Sequence, residues 1–313
     1  ETELIRAASK AVPIVWTLHD LWSITGHCSY PYMHECERWQ TGCGSCPSLS
    51  DYPPIAVDTT ALLWRVKAHA YRQSALTLVT PSEWMANIVR QSPLLAHCEV
   101  HVIPHGLDTK IYKPLPKKQA REALGVPADK RVMLFAAFDL FQERKGGVYL
   151  FDALQKLKDQ GRDDLLLLTV GSDQTDLGKG YSVPVQSLGL IQDERKMALA
   201  YCAADVYAGP SLAEAFGMVY MEAMACATPV IPFDSTAVPE VVQERQIGYL
   251  ARLQDSDDFA HGLRWLLDDA ETREKIGRQG WALTEREFTL KLQAKRYIKL
   301  YQKAIDKHAT LNS

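Results

Sequence analysis

The 313-residue sequence has no unbroken apolar run long enough to span a bilayer, and its first residues, Glu1 to Lys10, read as the end of a helix rather than a secretory leader. No Gly-x-Gly-x-x-Gly follows a predicted strand, which disfavours an NAD-dependent dehydrogenase. Glycine is absent before Gly26, and there is neither an internal repeat nor a low-complexity tract. Positive charge is not in surplus: 35 Lys and Arg against 38 Asp and Glu leave a formal net charge of -3, which argues against a general nucleic-acid binder. What is present is a soluble, globular composition, 47% hydrophobic and 23% charged, long enough for two domains with separate cores. Seven cysteines in such a chain suggest reduced thiols or a metal site before a disulfide framework, and make the cytosol the default compartment.

The pattern is α/β. Residues 12–18 read as a buried strand ending at His19-Asp20, and side chains just past such a strand end face the ligand crevice of an open parallel sheet. A surface His at a strand end is the plain alternative. Residues 62–73 form a helix mixing Leu62, Leu63, Trp64 and Val66 with Arg65, Lys67 and Arg72. Such a helix could touch a membrane surface, but ordinary packing with solvated Lys and Arg ranks above that. Strands at 75–79 and 99–104 follow, with Ser82 as a helix N-cap and a candidate acceptor-side contact. Residues 107–120 have linker composition, so the domains fall at 1–106 and 121–289. In the second, the strand 131–137 leads to Arg144-Lys145-Gly146-Gly147, where a Lys beside two Gly can reach a diphosphate while the backbone comes close. Strand 165–170 runs into Gly171-Ser172-Asp173, again facing the crevice. A last helix from Leu290 carries Lys at 291, 295, 299, 303 and 307, with Leu292, Ile298, Tyr301 and Ile305 available for burial.

Between the first strand and that basic helix lies a cysteine-rich loop, 26–47. Cys28, Cys36, Cys43 and Cys46 fall within nineteen residues, and Cys43-Gly-Ser-Cys46 makes a tight knuckle. Four thiolates in a loop with little core of its own suit a structural Zn²⁺. Two disulfides, a redox pair, or plain packed thiols are the rival readings.

The chain is organised around residues 210–230. Glu214 sits in a loop before a helix and Glu222 about one turn into it, on the order of 10 Å away, too far to share a proton but placed to grip two parts of one ligand. Phe216, Gly217, Met218 and Val219 open the helix, whose first N–H groups form a ready anion site. A solvated glutamate is the bland reading, but Glu222 lies in the nearly apolar run Val-Tyr-Met-Glu-Ala-Met-Ala, where a carboxylate needs a partner. A phosphate at the helix start with hydroxyl-rich groups on either side describes a nucleotide sugar.

This stretch, Pro-Ser-Leu-Ala-Glu-Ala-Phe-Gly-Met-Val-Tyr-Met-Glu-Ala-Met-Ala-Cys-Ala-Thr-Pro-Val-Ile, resembles the signature of glycosyltransferase family 4. Ala227 stands where the family usually has Gly, so the turn there is expected to differ. Thr-Leu-His-Asp-Leu-Trp with the later Gly-His-Cys and Gly-Cys-Gly-x-Cys-Pro resembles the bacterial exopolysaccharide, colanic-acid-type subgroup. The resemblance implies a GT-B fold, two Rossmann-like domains facing a cleft, with the N-terminal domain incomplete because its first strand and glycine-rich turn are absent. A terminal helix, 290–313, would cross back to the first domain. The implied activity is retaining transfer from a nucleotide-diphosphate sugar to a glycan or lipid-linked acceptor, cytoplasmic or peripheral at the cytoplasmic face of a membrane. Glu214, His19 and Lys145 would act at the donor sugar and diphosphate. Glu222, Arg144, Leu190, Ile191 and the Phe216 to Val219 segment would bind the donor. An Arg usual in the family is missing near Asp139-Leu140, and Arg144 is its candidate substitute. The chemistry needs no metal, so any zinc would be structural. A non-catalytic nucleotide-sugar binder and a nucleotide-sugar epimerase are the alternatives.

Overall fold

The computed structural model describes residues 2–172 and 180–312; Asp173, picked out in the sequence at a strand end, lies outside them. The chain forms two compact units, Glu1–Pro104 with Lys291–Ser313, and His105–Leu290.

The first unit contains α1 (Thr2–Ala8), β1 (Ile14–Thr17), α2 (Thr60–Arg72), β2 (Leu76–Thr80), α3 (Glu83–Gln91) and β3 (Glu99–Val102). Its three strands pair in parallel in the order β1-β2-β3. Ser82 caps α3 by accepting the Met85 N–H. Two expectations are corrected here. On α2, Leu62, Leu63 and Val66 are exposed whereas Lys67 is 2% exposed. Thr60, Lys67 and Tyr71 recur at helical spacing and share the buried face, which carries Lys67 inward with them. On the C-terminal helix, Ile298, Tyr301 and Ile305 are exposed, and the buried residues are Leu300 and Ala304. Leu300 joins Val79 and Ile103, with Val15 and Tyr297 against them, and the Tyr297 and Thr17 hydroxyls lie 2.8 Å apart. The stripe 297, 300, 304 therefore covers the sheet, and Lys303 and Lys307 of the basic row bind Glu99 on β3.

The second unit holds α4 (Lys117–Leu124), β4 (Arg131–Asp139), α5 (Gly147–Asp159), β5 (Leu165–Ser172), β6 (Val185–Ser187), α6 (Glu194–Ala203), β7 (Val206–Gly209), α7 (Met218–Ala225), β8 (Val230–Pro232), α8 (Val238–Val241), α9 (Ser256–Asp268) and α10 (Ala270–Glu287). α11 (Leu290–Asn312) starts at its last residue. Its sheet is parallel throughout, in the order β6-β5-β4-β7-β8. The run Leu165 to Leu168 is wholly buried, as expected of a strand covered on both faces. Asp193, Asp255 and Asp269 each accept first-turn N–H groups of the helix they precede. Below the sheet, buried Asp205 receives Lys117 at 2.6 Å, Arg121 at 2.8 Å and the Val132 N–H at 2.9 Å, tying α4, β4 and β7 together.

After β4 the chain adds β5 and β6 on one side, then returns to add β7 and β8 on the other. The connections therefore diverge between β4 and β7, the position at which open parallel sheets hold ligands beyond the C-terminal ends of their strands. Behind it, the turn at Ala227 keeps a left-handed backbone (φ 56°) although the residue is alanine. A Cβ on Gly277 of α10 would come within 2.2 Å of the Ala227 carbonyl, so the turn is packed too closely to rearrange. Ala227→Gly is expected to raise stability by about 1 kcal/mol, read as a higher urea midpoint at unchanged slope.

Candidate functional site

Lys145 ends a short 3-10 turn, Glu143–Lys145, between β4 and α5. Gly146 follows with φ 67°, and a Cβ there would lie 1.9 Å from the Pro210 carbonyl. Only glycine lets these two backbones touch. The contact locks the β4–α5 loop against the loop after β7: the Leu212 N–H donates to the Arg144 carbonyl, and the Arg144 guanidinium to the Ala213 carbonyl, both at 2.8 Å. Glu214 is thereby brought to Lys145, with Nζ to Oε1 at 2.7 Å, and Arg144 lies 3.4 Å from the same oxygen. Thr236 clamps the Glu214 backbone, its hydroxyl meeting both the N–H and the carbonyl at 2.9 Å. Glu214 is 8% exposed. Burial pushes its carboxyl up, but Lys145 and Arg144 outweigh burial and hold it below its ordinary value. Two cations face one carboxylate at the point where the strand connections diverge, leaving net positive charge for an anion.

Phe216 is buried edge-on against His105 and Phe288, which fixes the turn into α7. Gly217 takes φ 95°, where a Cβ would meet the Tyr220 ring at 2.5 Å. Met218 and Val219 are half-buried at the helix start, and the first-turn N–H groups of a helix are orphan donors that suit a phosphate. Glu222, the fifth residue of α7, accepts the Tyr201 hydroxyl at 2.7 Å. Burial, with Glu194 adding, pushes the Glu222 carboxyl up to about 7 against the pull of Tyr201. The two glutamates thus sit in opposite regimes: one held ionised by cations, the other poised near neutrality.

Of the residues singled out in the sequence, the structure brings Arg144, Lys145 and Glu214 into one cluster, with the Phe216 to Val219 turn two residues on. Leu190 is exposed, whereas Ile191 packs partly buried against the core. His19 belongs to the first unit, where it is exposed two residues beyond β1. Tyr201 and Thr236 escaped the sequence reading. The only signal for Tyr201 was the demand of Glu222 for a partner, and Thr236, at φ 47°, carries no local signature. Cys28, Cys36, Cys43 and Cys46 form no disulfide and line one cavity. Among the described residues, no set of three or more His, Cys, Asp or Glu side chains is arranged as it stands to hold a metal ion. No helix among them is long and apolar enough to cross a membrane.

A family model described as glycosyl transferases group 1 matches residues 116–281, which contain Lys145, Glu214 and Glu222. The chain is 29% identical over 248 residues to a protein of Escherichia coli (strain K12) named for colanic acid biosynthesis, glycosyl transferase WcaC, covering 77% of this chain and 57% of that one. It is 32% identical over 192 residues to a D-inositol 3-phosphate glycosyltransferase of Corynebacterium diphtheriae, covering 57% and 44%. Two solved structures share its fold. Sucrose-phosphate synthase from Thermosynechococcus elongatus superposes with a TM-score of 0.72 at 23% identity, covering 92% of this chain and 67% of that one. Anabaena Alr3699/HepE, in complex with UDP and glucose, gives 0.68 at 21%, covering 93% and 71%. The fold is α/β, of the GT-B kind. The chain spans about half the length of the curated relatives it matches.

Proposed function

The chain belongs to the glycosyl transferases group 1 family, and from that premise we propose that it binds a nucleotide-diphosphate sugar and moves the sugar, with retention, to a glycan or lipid-linked acceptor in polysaccharide synthesis. The observation that carries this reading is the meeting of Lys145, Arg144 and Glu214 where the strand connections diverge, beside the N-terminus of α7. An ammonium has three N–H donors and Glu214 takes one, which leaves donors for a diphosphate. As the sugar–phosphate bond breaks, charge grows on the leaving diphosphate. Lys145, Arg144 and the first-turn amides of α7 are fixed in advance to meet it. Glu214 faces the donor sugar and its phosphate, Glu222 accepts from the ribose hydroxyls, and Leu190 and Ile191 border the base. Acceptor attack on the leaving-group face needs no second carboxylate pair and no metal. The relative solved with UDP and glucose supports a sugar-nucleotide donor.

The test is calorimetric titration with a panel of nucleotide-diphosphate sugars between roughly pH 6 and 8, spanning the Glu222 transition. A ribose hydroxyl donates more strongly to a carboxylate than to a carboxylic acid, so affinity should rise with pH through about 7, where the Glu222 carboxyl loses its proton. Glu222→Gln should flatten that dependence and weaken binding by roughly tenfold. The same substitution should act oppositely on stability. A carboxyl raised to about 7 from its ordinary 4.5 keeps a proton in the folded chain that the unfolded chain has lost, so stability falls as pH rises across that window. The neutral Gln avoids this, and above pH 7 the variant should be more stable by about 1–2 kcal/mol. Absence of binding to every sugar nucleotide at every pH removes the reading. Donor conversion without any acceptor would favour an epimerase, and binding without turnover a binding module.

A further inference from the structure

Between β1 and α2 the chain runs from 18 to 59 with only three short 3-10 turns. A connection of this length without strands or α-helices inside a compact unit is uncommon and calls for its own staple. We propose that Cys28, Cys36, Cys43 and Cys46 bind one structural zinc ion that closes this loop onto the start of α2, independently of the donor site.

Four observations meet at one place. All four cysteines line a single cavity of about 20 Å³, together with His27, Gly26 and Thr60. That volume has room for one small particle. The knuckle between the last two cysteines is bent by four consecutive left-handed residues, Gly42, Cys43, Gly44 and Ser45, at φ 121°, 56°, 92° and 46°. Two of these are not glycine, so surrounding contacts hold the bend against its cost. It is pinned to the α2 entry, where the Gly44 N–H donates to the Thr60 hydroxyl at 2.9 Å and the Cys46 N–H to Asp58 at 2.8 Å.

The sulfurs also meet polar neighbours. The Gly26 N–H lies 3.2 Å from Cys43 Sγ, the Ser48 amide hydrogen-bonds Cys46, and His27 Nε2 stands 3.3 Å from Cys46 Sγ. The last observation is Lys67. Its ammonium is 2% exposed, bonded to the Trp22 and Thr25 carbonyls at 2.5 and 3.0 Å and stacked 3.3 Å over the Trp22 ring. It lies within electrostatic reach of Cys43, Asp20 and Cys28. A buried cation needs a compensating anion. Four thiolates around a divalent ion leave a net negative centre, and Lys67 is the cation beside it. Because the side chains as they stand do not form a closed set, loading must draw the loop inward. Each thiol gives up its proton to solvent as its sulfur bonds the metal.

The experiment is metal analysis of the protein purified under reducing conditions, with cobalt as the spectroscopic probe. About one zinc per chain is expected, surviving gel filtration in EDTA, and Co²⁺ loading should give the intense thiolate charge-transfer and visible bands of a tetrahedral sulfur site. Cys46→Ser should lower the zinc content at least roughly tenfold, whereas Cys98→Ser, in the same unit but outside the cavity, should leave it unchanged. Should Cys46→Ser fail to fold, the wild-type cobalt spectrum decides. Four thiols in the unmodified chain that bind neither metal and react as ordinary free cysteines, or two disulfides by intact mass, would overturn the assignment. Donor titration of the same samples reads the other site separately, so either reading can fail alone.

Discussion

Glu214→Gln is expected to fold and to lose transfer by about a hundredfold or more. The amide keeps the size of the carboxylate and can still accept from Lys145, and the Thr236 clamp acts on the backbone, which the substitution leaves in place. What disappears is the negative charge that holds two cations at the end of β4. Lys145 and Arg144 have side chains only 15% and 17% exposed, so leaving them without a counter-charge should cost about 2–3 kcal/mol of stability, less than a full charge deletion because the amide still accepts from Lys145. Without Glu214 they reorient, and their loss of position is felt most in the transition state, when charge on the diphosphate is greatest. The measurement is turnover of the tightest-binding donor beside its calorimetric affinity. Transfer close to that of the unmodified chain would take Glu214 out of the mechanism.

Gly146→Ala should have the largest effect on stability. The new Cβ would sit 1.9 Å from a backbone oxygen, and the backbone would be held at φ 67°. Neither problem can be relieved by a rotamer, since the obstacle is main chain from the loop that carries Glu214. A loss of about 3 kcal/mol or more follows, with donor binding lost at temperatures where the variant still folds. Gly217→Ala meets the side chain of Tyr220, which has somewhat more room to yield. The two midpoints should therefore fall in that order in a urea series. A Gly146→Ala variant with ordinary stability would mean the two loops do not touch as described.

The parts of this arrangement that the sequence announced are those written in local patterns. The leucine run of β5, the Gly-Gly pair opening α5 and the glutamates flanking a helix start all follow from spacing, and the signature at 210–230 spans the loop that brings Glu214 to Lys145. What stayed hidden depends on packing between distant segments. No periodicity marks Tyr201 as the partner of Glu222, because that hydrogen bond joins residues on two helices. A lysine on a mixed helix is generally solvated, and nothing local exempts Lys67. Its burial follows from the phase of Thr60 and Tyr71, and its bonds are to carbonyls some forty residues upstream. The last helix misled in the same way: its apolar residues outnumber those it can bury, and the sheet beneath selected 297, 300 and 304. Ala227 kept a conformation its side chain disfavours because α10 leaves no alternative path.

The first unit draws on both ends of the described chain, residues before 105 and after 290. During synthesis Val79 on β2 and Ile103 just past β3 therefore leave the ribosome well ahead of the Tyr297 and Leu300 that pack on them. At ~5–20 residues per second the intervening segment takes roughly ten to forty seconds to translate. For that interval Val79 and Ile103 lack the contacts that α11 later gives them, while the later-made unit, continuous in the chain, can already be complete. Chaperone dependence and premature-termination damage should accordingly concentrate in the half of the molecule that is translated first.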